Sequence, residues 1–223
     1  MSTNSSESVE MYVKSVAELG GDRQPVPIGR VAERMDVTSV SANEMMKRLG
    51  SQGYIEHQMY KGVVLTKAGL TMANNIIRRQ RLWECFLVDK LKLDWARSHE
   101  LACDLEHATA EEVVEALVSY LGSPTHCPHG NPIPEADSQE PLQSGVLLSE
   151  LATGHTGRIL AIRPESHEVL AYLHDRQLLP GRTVTVIEAA PLQGPLTLRL
   201  DNDEVVLGLN LASLVLIEEL CCP

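Results

Sequence analysis

Four residues near the middle of the chain carry side chains of the types that bind metal ions. They lie between Asp94 and His107 and are His99, Cys103, Glu106 and His107. Residues three and four apart share one face of a helix, so a helix capped by Asp94 would place all four in one stripe. Thiolate, imidazole and carboxylate groups together suit a first-row divalent ion such as Fe(II), Mn(II), Co(II) or Ni(II). The spacing therefore predicts a metal site, and the alternative is an ordinary polar helix surface.

A second group of ligand-type residues follows in a stretch rich in proline and glycine. It consists of His126, Cys127 and His129. Zinc-finger sites need a second ligand cluster at a characteristic spacing, and the sequence offers none there. We therefore do not predict a zinc finger, and the roles of these three residues stay open, as do those of Cys221 and Cys222.

The composition is that of an ordinary globular protein, with 43% hydrophobic and 22% charged residues among 223. No apolar run approaches the roughly 20 residues that span a bilayer, and the polar N-terminal sequence does not have the pattern of a secretory signal. Five unevenly spaced cysteines do not predict a disulfide framework. We therefore expect a cytoplasmic protein with no membrane partner.

The net charge of −11 is distributed unevenly along the chain. It is +2 for residues 1–80, −8 for residues 81–140 and −5 for residues 141–223. Only the first third would not be repelled by phosphates, whereas the acidic middle third suits a cation.

The first third of the chain predicts a winged helix-turn-helix, with a plain helical hairpin as the alternative. Helical periodicity indicates a helix over residues 7–20, followed by two helices on either side of a turn at residues 36–39. A β-hairpin over residues 52–66 then forms the wing. The candidate DNA contacts are Ser39, Ser41, Ala42 and Asn43 for base edges, Lys47, Arg48 and Lys61 for phosphates, and Arg30 and Thr38 beside the turn.

The rest of the chain predicts helices and then short strands. Residues 70–92 lack glycine and proline, so we expect one stiff helix that contributes to a dimer interface, followed by helices at 94–107 and 110–121. Five short strands and a brief helix after residue 148 predict a small closed barrel. The expected domains are 1–72, 73–140 and 148–223, with a linker at 141–147.

Several short motifs together resemble the diphtheria toxin repressor and iron-dependent regulator family, over nearly the whole chain. These motifs occupy residues 10–12, 30–34, 62–69, 81–84, 99–107 and 128–134. The resemblance implies a mainly α N-terminal half, comprising a winged helix-turn-helix and a helical dimerisation domain, followed by an SH3-like β-barrel similar to FeoA proteins. It also implies a metal-dependent transcriptional regulator, mainly a repressor of metal homeostasis genes, that binds operator DNA as a homodimer and is not an enzyme. A cytoplasmic metal buffer or a metalloenzyme without a DNA role is the alternative.

The resemblance further implies two sites per subunit for Mn(II) or Fe(II). The site that controls DNA binding maps onto Met11, Cys103, Glu106 and His107, and the ancillary site maps onto Gln80, Glu84, His99, Glu165 and Glu168. The family usually has histidine at position 80, so the glutamine predicts looser binding or a preference for Mn(II). An anion site maps onto Arg81, Cys127 and Asn131, where the cysteine replaces a hydroxyl. Because Met11 lies in the DNA-binding part, the hypothesis is that a bound ion fixes that part relative to the dimerisation domain.

Overall fold

The computed structural model describes residues 3–140, 145–163 and 166–220. The chain divides into two units, the first formed by residues 1–80, 105–115 and 133–142 and the second by residues 81–104, 116–132 and 143–223. Among the described residues, no helix combines the length and the apolar character needed to cross a membrane.

The first unit contains the winged helix-turn-helix. Its elements are α1 (Thr3–Val16), a π-helical turn (Ala17–Gly21), α2 (Ile28–Arg34), α3 (Ser39–Ser51), β1 (Ile55–Gln58) and β2 (Gly62–Leu65). The side chain of Thr38 caps α3, because its hydroxyl accepts a hydrogen bond of 3.2 Å from the Ser41 amide. Strands β1 and β2 pair antiparallel with Ile55 opposite Leu65, which confirms the predicted wing.

The helix α3 is held by one apolar face, which carries Ala42, Met46 and Leu49. All three are fully buried, and Met46 and Leu49 share a core with Val13 of α1 and Val31 of α2. Burying a side chain of valine or leucine size contributes roughly 1.5–3 kcal/mol, so this face fixes the orientation of α3. The expectation that Ala42 is exposed toward DNA was wrong, because its position four residues before Met46 turns it into the core.

The helix α4 (Lys67–Cys85) begins earlier and ends earlier than the sequence predicts, and a π-helical turn (Phe86–Lys90) follows it. Within the first unit, α4 holds the segment 133–140 through side-chain amides and a guanidinium. The Asn74 amide donates to the carbonyl oxygens of Ser138 and Glu140, at 2.9 and 3.0 Å, and Arg78 donates to that of Pro134. We call residues 133–140 the α4 strap.

Two further helices, α5 (Ser98–Glu106) and α6 (Glu111–Leu121), follow. Asp94 caps a turn rather than the start of α5, because its carboxylate accepts from the Arg97 amide at 2.9 Å and the helix begins at Ser98.

The second unit contains a six-stranded antiparallel sheet. Its elements are β3 (Val146–Leu147), β4 (Thr156–Ile162), α7 (His167–Asp175), β5 (Thr183–Ala189), β6 (Leu196–Leu200), β7 (Asp203–Leu207), α8 (Leu209–Ala212) and β8 (Val215–Leu220). The strand order is β3-β8-β4-β5-β6-β7. Leu148, Leu170 and Leu198 are fully buried in its core. Among the described strands, no pairing joins β7 to β3, so the small sheet is confirmed but the closed barrel is not. The predicted linker at 141–147 lies partly outside the described residues, because 141–144 are not described.

Candidate metal sites

The first cluster of ligand-type side chains lies in the first unit, where α1 meets the end of α5. The imidazole Nε2 of His107 lies 3.0 Å from Met11 Sδ and 3.3 Å from Glu106 Oε1. A nitrogen bound at about 2.1 Å and a sulfur bound at about 2.3 Å to one ion lie about 3 Å apart when the two bonds are at right angles. The three residues, which we call the α1 cluster, therefore fit a shared divalent ion by both spacing and donor type.

Glu10 sets the orientation of the His107 ring. Its carboxylate lies 2.9 Å from His107 Nδ1, so the neutral ring donates from Nδ1 and presents the lone pair of Nε2 toward Met11. The hydrogen bond to Glu10 raises the pKa of His107 above its usual value, and the charge of Glu106 adds to this, while burial and Lys14 oppose it. Arg79 also pairs with Glu10, at 3.4 Å.

Glu106 is paired with a buried lysine, Lys14. Lys14 Nζ lies 2.8 and 2.9 Å from the two carboxylate oxygens, and the two side chains are only 5% and 0% exposed. Burial raises the pKa of the Glu106 carboxyl, whereas the charge and hydrogen bonds of Lys14 oppose that rise. A buried carboxylate needs such a partner, because an uncompensated charge in the interior is costly.

Cys103 belongs to the second unit, where its Sγ lies 3.9 Å from His99 Nε2. The structure thus groups Met11, Glu106 and His107, and the place of Cys103 beside them stays a prediction.

The second cluster lies in the second unit around Glu84. Donor atoms of Glu84, Cys127 and His129 all lie within 4.8 Å of one another, and all three residues are buried. His99 joins them, because its Nδ1 lies 2.9 Å from Glu84 Oε1. We call these four residues the Glu84 cluster.

Hydrogen bonding at His129 fixes which of its nitrogens faces the cluster. Nε2 lies 2.9 Å from the carbonyl oxygen of Trp95, which only accepts, so Nε2 carries the hydrogen in the neutral ring. Nδ1 then presents a lone pair to Glu84 Oε2 at 3.4 Å. The two atoms therefore need a cation between them, which either a proton on Nδ1 or a bound metal ion supplies.

A tight turn positions Cys127 and His129 in the Glu84 cluster. The Gly130 amide donates to the carbonyl of Cys127, and the Ile162 amide donates to that of His129 at 3.1 Å. Gly130 has a φ of +83°, and a Cβ there would lie 1.9 Å from the carbonyl oxygen of Leu160. Only glycine lets the turn approach β4 this closely.

Sequence reasoning did not associate Cys127 and His129 with Glu84. Their residue types were a signal, but the partner carboxylate lies 45 residues before His129 in the sequence. His126 is exposed, with Nδ1 3.0 Å from the Thr125 hydroxyl. Burial raises the pKa of the Cys85 thiol well above the usual range, and its Sγ lies 3.6 Å from the carbonyl oxygen of His126.

Two described residues of the predicted ancillary site are not placed in the Glu84 cluster. Gln80 is buried and belongs to the first unit, and Glu168 is exposed at the start of α7. Glu165 lies outside the described residues, as do Cys221 and Cys222. The anion site also stays a prediction, because Arg81 donates to the carbonyl of Pro132 and the Asn131 amide donates to that of Ile162.

The surface of the helix-turn-helix carries the predicted DNA contacts apart from Ala42. The exposed residues are Arg30, Thr38, Ser39, Ser41, Asn43, Lys47, Arg48 and Lys61. Val40, which sequence reasoning passed over, is 70% exposed at the start of α3. Its β-branched apolar side chain could contact a thymine methyl group.

Three family models match successive parts of the chain. They describe the iron dependent repressor N-terminal DNA binding domain at residues 4–63, the iron dependent repressor metal binding and dimerisation domain at residues 66–135, and the FeoA domain at residues 146–219.

Individual proteins match over the same length. The iron-dependent repressor IdeR of Mycobacterium leprae is 27% identical over 225 residues, covering 96% of this chain and 97% of that protein. The diphtheria toxin repressor of Corynebacterium glutamicum is 30% identical over 154 residues, covering 66% of this chain and 67% of that protein. A manganese-dependent transcriptional repressor solved in complex with manganese has a TM-score of 0.85 and 29% identity, covering 95% of this chain and all of that one, 100%. The chain belongs to the family of iron-dependent repressors that includes the diphtheria toxin repressor.

Proposed function

We propose that this chain is a metal-dependent transcriptional repressor that binds double-stranded operator DNA as a homodimer. The observation that carries the proposal is the α1 cluster, in which His107 lies within 3.0 Å of Met11 on the first helix of the DNA-binding part. The names of the family models and of the relatives, which are repressors of iron-dependent and manganese-dependent type, support it.

The residues of the α1 cluster have separate tasks. Met11 extends from α1, whose Val13 and Val16 pack in one core with Met46 and Leu49 of α3. Holding Met11 against His107 therefore restrains α1 and, through that core, the position of α3. Glu10 keeps the His107 ring oriented, and Glu106 supplies a carboxylate oxygen. A bound divalent ion supplies the charge and the coordination bonds that link these donors.

The donor set combines a soft thioether, an imidazole and a hard carboxylate, and such a mixed set suits borderline divalent ions. Thioether, imidazole and carboxylate suit Fe(II) and Mn(II), and cellular availability decides between such ions as much as affinity does. We propose Mn(II) or Fe(II) at about two sites per subunit, with Cys103 as a further ligand of the first site. The second site is the Glu84 cluster, in which Cys127 and His129 replace the barrel residues that the resemblance implied.

DNA is read by α3 in this proposal. Ser39, Val40 and Ser41 are exposed at its N-terminal end, where a recognition helix contacts base edges, and Lys47 and Arg48 are exposed farther along. Two subunits must place two such helices in major grooves about 34–36 Å apart, or a multiple of that distance. A small displacement of α3 therefore changes operator affinity.

The test is operator binding with and without metal. Fluorescence anisotropy of labelled promoter DNA is measured with Mn(II), with Fe(II) under anaerobic conditions and with a chelator. We expect affinity to fall roughly 100-fold in chelator, which corresponds to about 2.7 kcal/mol of coupling. Equal affinity under all three conditions would contradict the proposal.

A further inference from the structure

Lys14 is a buried lysine to which the proposed function assigns no role. It lies on α1 three residues after Met11, and its side chain is only 5% exposed. Lysine is almost never this buried unless its charge is paired. It is paired with Glu106, whose side chain is 0% exposed. Both carboxylate oxygens of Glu106 accept hydrogen bonds from the Lys14 ammonium. The chain therefore carries its own cation at one end of the α1 cluster.

The ammonium and a bound ion would use the same atom. Glu106 Oε1 lies 2.8 Å from Lys14 Nζ and 3.3 Å from His107 Nε2, the nitrogen that faces Met11. Two cations at one buried carboxylate repel each other, and the repulsion is weakly screened away from water. The flexible four-carbon stem of lysine allows the ammonium to move aside.

We propose that Lys14 is an internal competitor for the metal, which neutralises Glu106 in the metal-free protein and must be displaced from it when an ion binds. Lys14 then sets the metal concentration at which the chain responds. A pairing favoured tenfold in the metal-free protein weakens the apparent metal affinity by about tenfold, because only the unpaired fraction is competent to bind. The inference rests on the proposed function, since it concerns the same site.

The experiment measures metal binding by the full chain without DNA. Mn(II) affinity is determined by isothermal titration calorimetry and by electron paramagnetic resonance for the wild type and for Lys14→Met, which keeps the length of the side chain and removes its charge. We expect affinity to tighten about tenfold, the melting temperature of the metal-free protein to fall, and the rise in melting temperature on adding Mn(II) to grow.

Two further variants isolate the charge. Lys14→Arg keeps the positive charge and is expected to stay within roughly threefold of wild-type affinity. Lys67→Met removes an exposed lysine of the same unit and is expected to change nothing. If Lys14→Met does not fold without metal, Lys14→Gln, whose amide still donates a hydrogen bond to Glu106, is measured in the same way with the same expected tightening.

Affinity that is unchanged or weaker in Lys14→Met, or in Lys14→Gln where that variant replaces it, would overturn the inference and leave Lys14 as a structural partner of Glu106. Glu106→Gln separates this failure from failure of the proposed function. If Glu106→Gln loses the site while the Lys14 variants do not tighten binding, only the present inference fails. If Glu106→Gln retains the site, the assignment of ligands in the proposed function fails as well.

Discussion

At His107 the two ring nitrogens face different partners, Glu10 at Nδ1 and Met11 at Nε2. Because Nε2 is the nitrogen that faces Met11, the ability of the ring to bind a metal ion depends on whether Nε2 is protonated. A proton on Nε2 would occupy the same lone pair that an ion needs, so protons and metal compete at one atom.

The competition predicts the direction of the pH dependence. The pKa of His107 is raised in the folded chain, chiefly by the hydrogen bond to Glu10. Protonation of His107 therefore contributes to the stability of the metal-free fold. This contribution is fully present below about pH 6.5, the ordinary pKa of histidine, and it is lost as pH rises through the raised pKa. Mn(II) affinity measured by calorimetry should increase with pH and level off over a window around the raised pKa, which lies above about pH 6.5.

Glu10→Gln should move this window to lower pH, because it removes the first cause of the raised pKa. Glu7→Gln, an exposed change on the same helix, is the matched control and should leave the window in place. A window that does not move in Glu10→Gln would show that Glu10 does not govern the protonation of His107.

Substitutions of the proposed ligands on α5 test the site directly. Glu106→Gln and Cys103→Ala should each abolish the dependence of operator binding on metal while the dimer stays folded, as judged by sedimentation and circular dichroism. Glutamine is preferable to alanine at position 106, because it leaves fewer unpaired groups beside the buried Lys14. Glu100→Gln, which changes an exposed residue of the same helix, should respond to metal like the wild type. A wild-type response from Glu106→Gln would remove that residue from the ligand set.

At the scale of elements, hydrophobic periodicity and capping residues predict most of the helices. Val31, Met46 and Leu49 recur at helical spacing and mark the core faces of α2 and α3, and Thr38 marks the start of α3. The π-helical turn after α4 was not predicted, because the extra residue per turn depends on tertiary packing rather than on a local signal. The turn after α1 contains Gly20 with a φ of +90°, where the sequence predicted the end of the helix.

The residues of the candidate sites likewise divide into those that local spacing predicts and those that only the tertiary fold brings together. Glu106 and His107 could be predicted because helical spacing places them together, and Met11 came only from the resemblance. The association of Cys127 and His129 with Glu84 could not be predicted from spacing, because it is made by the turn that Gly130 allows against β4.

That turn predicts the effect of Gly130→Ala. The added Cβ would meet the Leu160 carbonyl and the residue would keep a positive φ, so we expect a loss of about 1–3 kcal/mol and of one bound metal per subunit. Gly154→Ala is the matched control, since Gly154 has a φ of +84° but nothing within 4 Å of an added Cβ. Melting temperature and metal content are measured for both, and equal effects would contradict the role assigned to the close approach.

Substitutions of exposed residues on α3 should weaken DNA binding in two different ways. Lys47→Ala should weaken binding to operator and to unrelated DNA alike and should reduce the slope of log affinity against log salt by about 1, as expected for one phosphate contact. Val40→Ala should weaken binding to operator DNA alone, because an apolar contact with a base carries sequence information. Equal losses on both DNAs for Val40→Ala would place the residue outside the base-reading set.

At the scale of the whole molecule, charge and exposed apolar surface determine how subunits and DNA meet. The first 80 residues carry a net charge of +2, while the rest of the chain carries −13. This asymmetry favours approach of DNA to the winged helix-turn-helix and disfavours contact elsewhere.

The second unit exposes large apolar side chains within residues 66–135, the stretch that matches the metal binding and dimerisation domain model. Leu91, Leu93 and Tyr120 are 52%, 41% and 65% exposed. We expect Leu91→Glu to weaken self-association at least about tenfold, because it would bury a charge in the interface. Val206→Glu, which changes an exposed residue on β7, is the control. Sedimentation equilibrium measures both, and an unchanged dimer in Leu91→Glu would place the interface elsewhere.

The α4 strap determines where this protein can be shortened. Asn74 is fully buried and donates to two carbonyl oxygens of residues 138 and 140, so a chain cut at residue 132 would leave its amide hydrogens unsatisfied in the interior of the first unit. A fragment intended to retain the DNA-binding half should therefore end no earlier than residue 140. For the purpose of drawing a truncation boundary, residues 133–140 belong with α4, on which they pack, although they follow α6 in the chain.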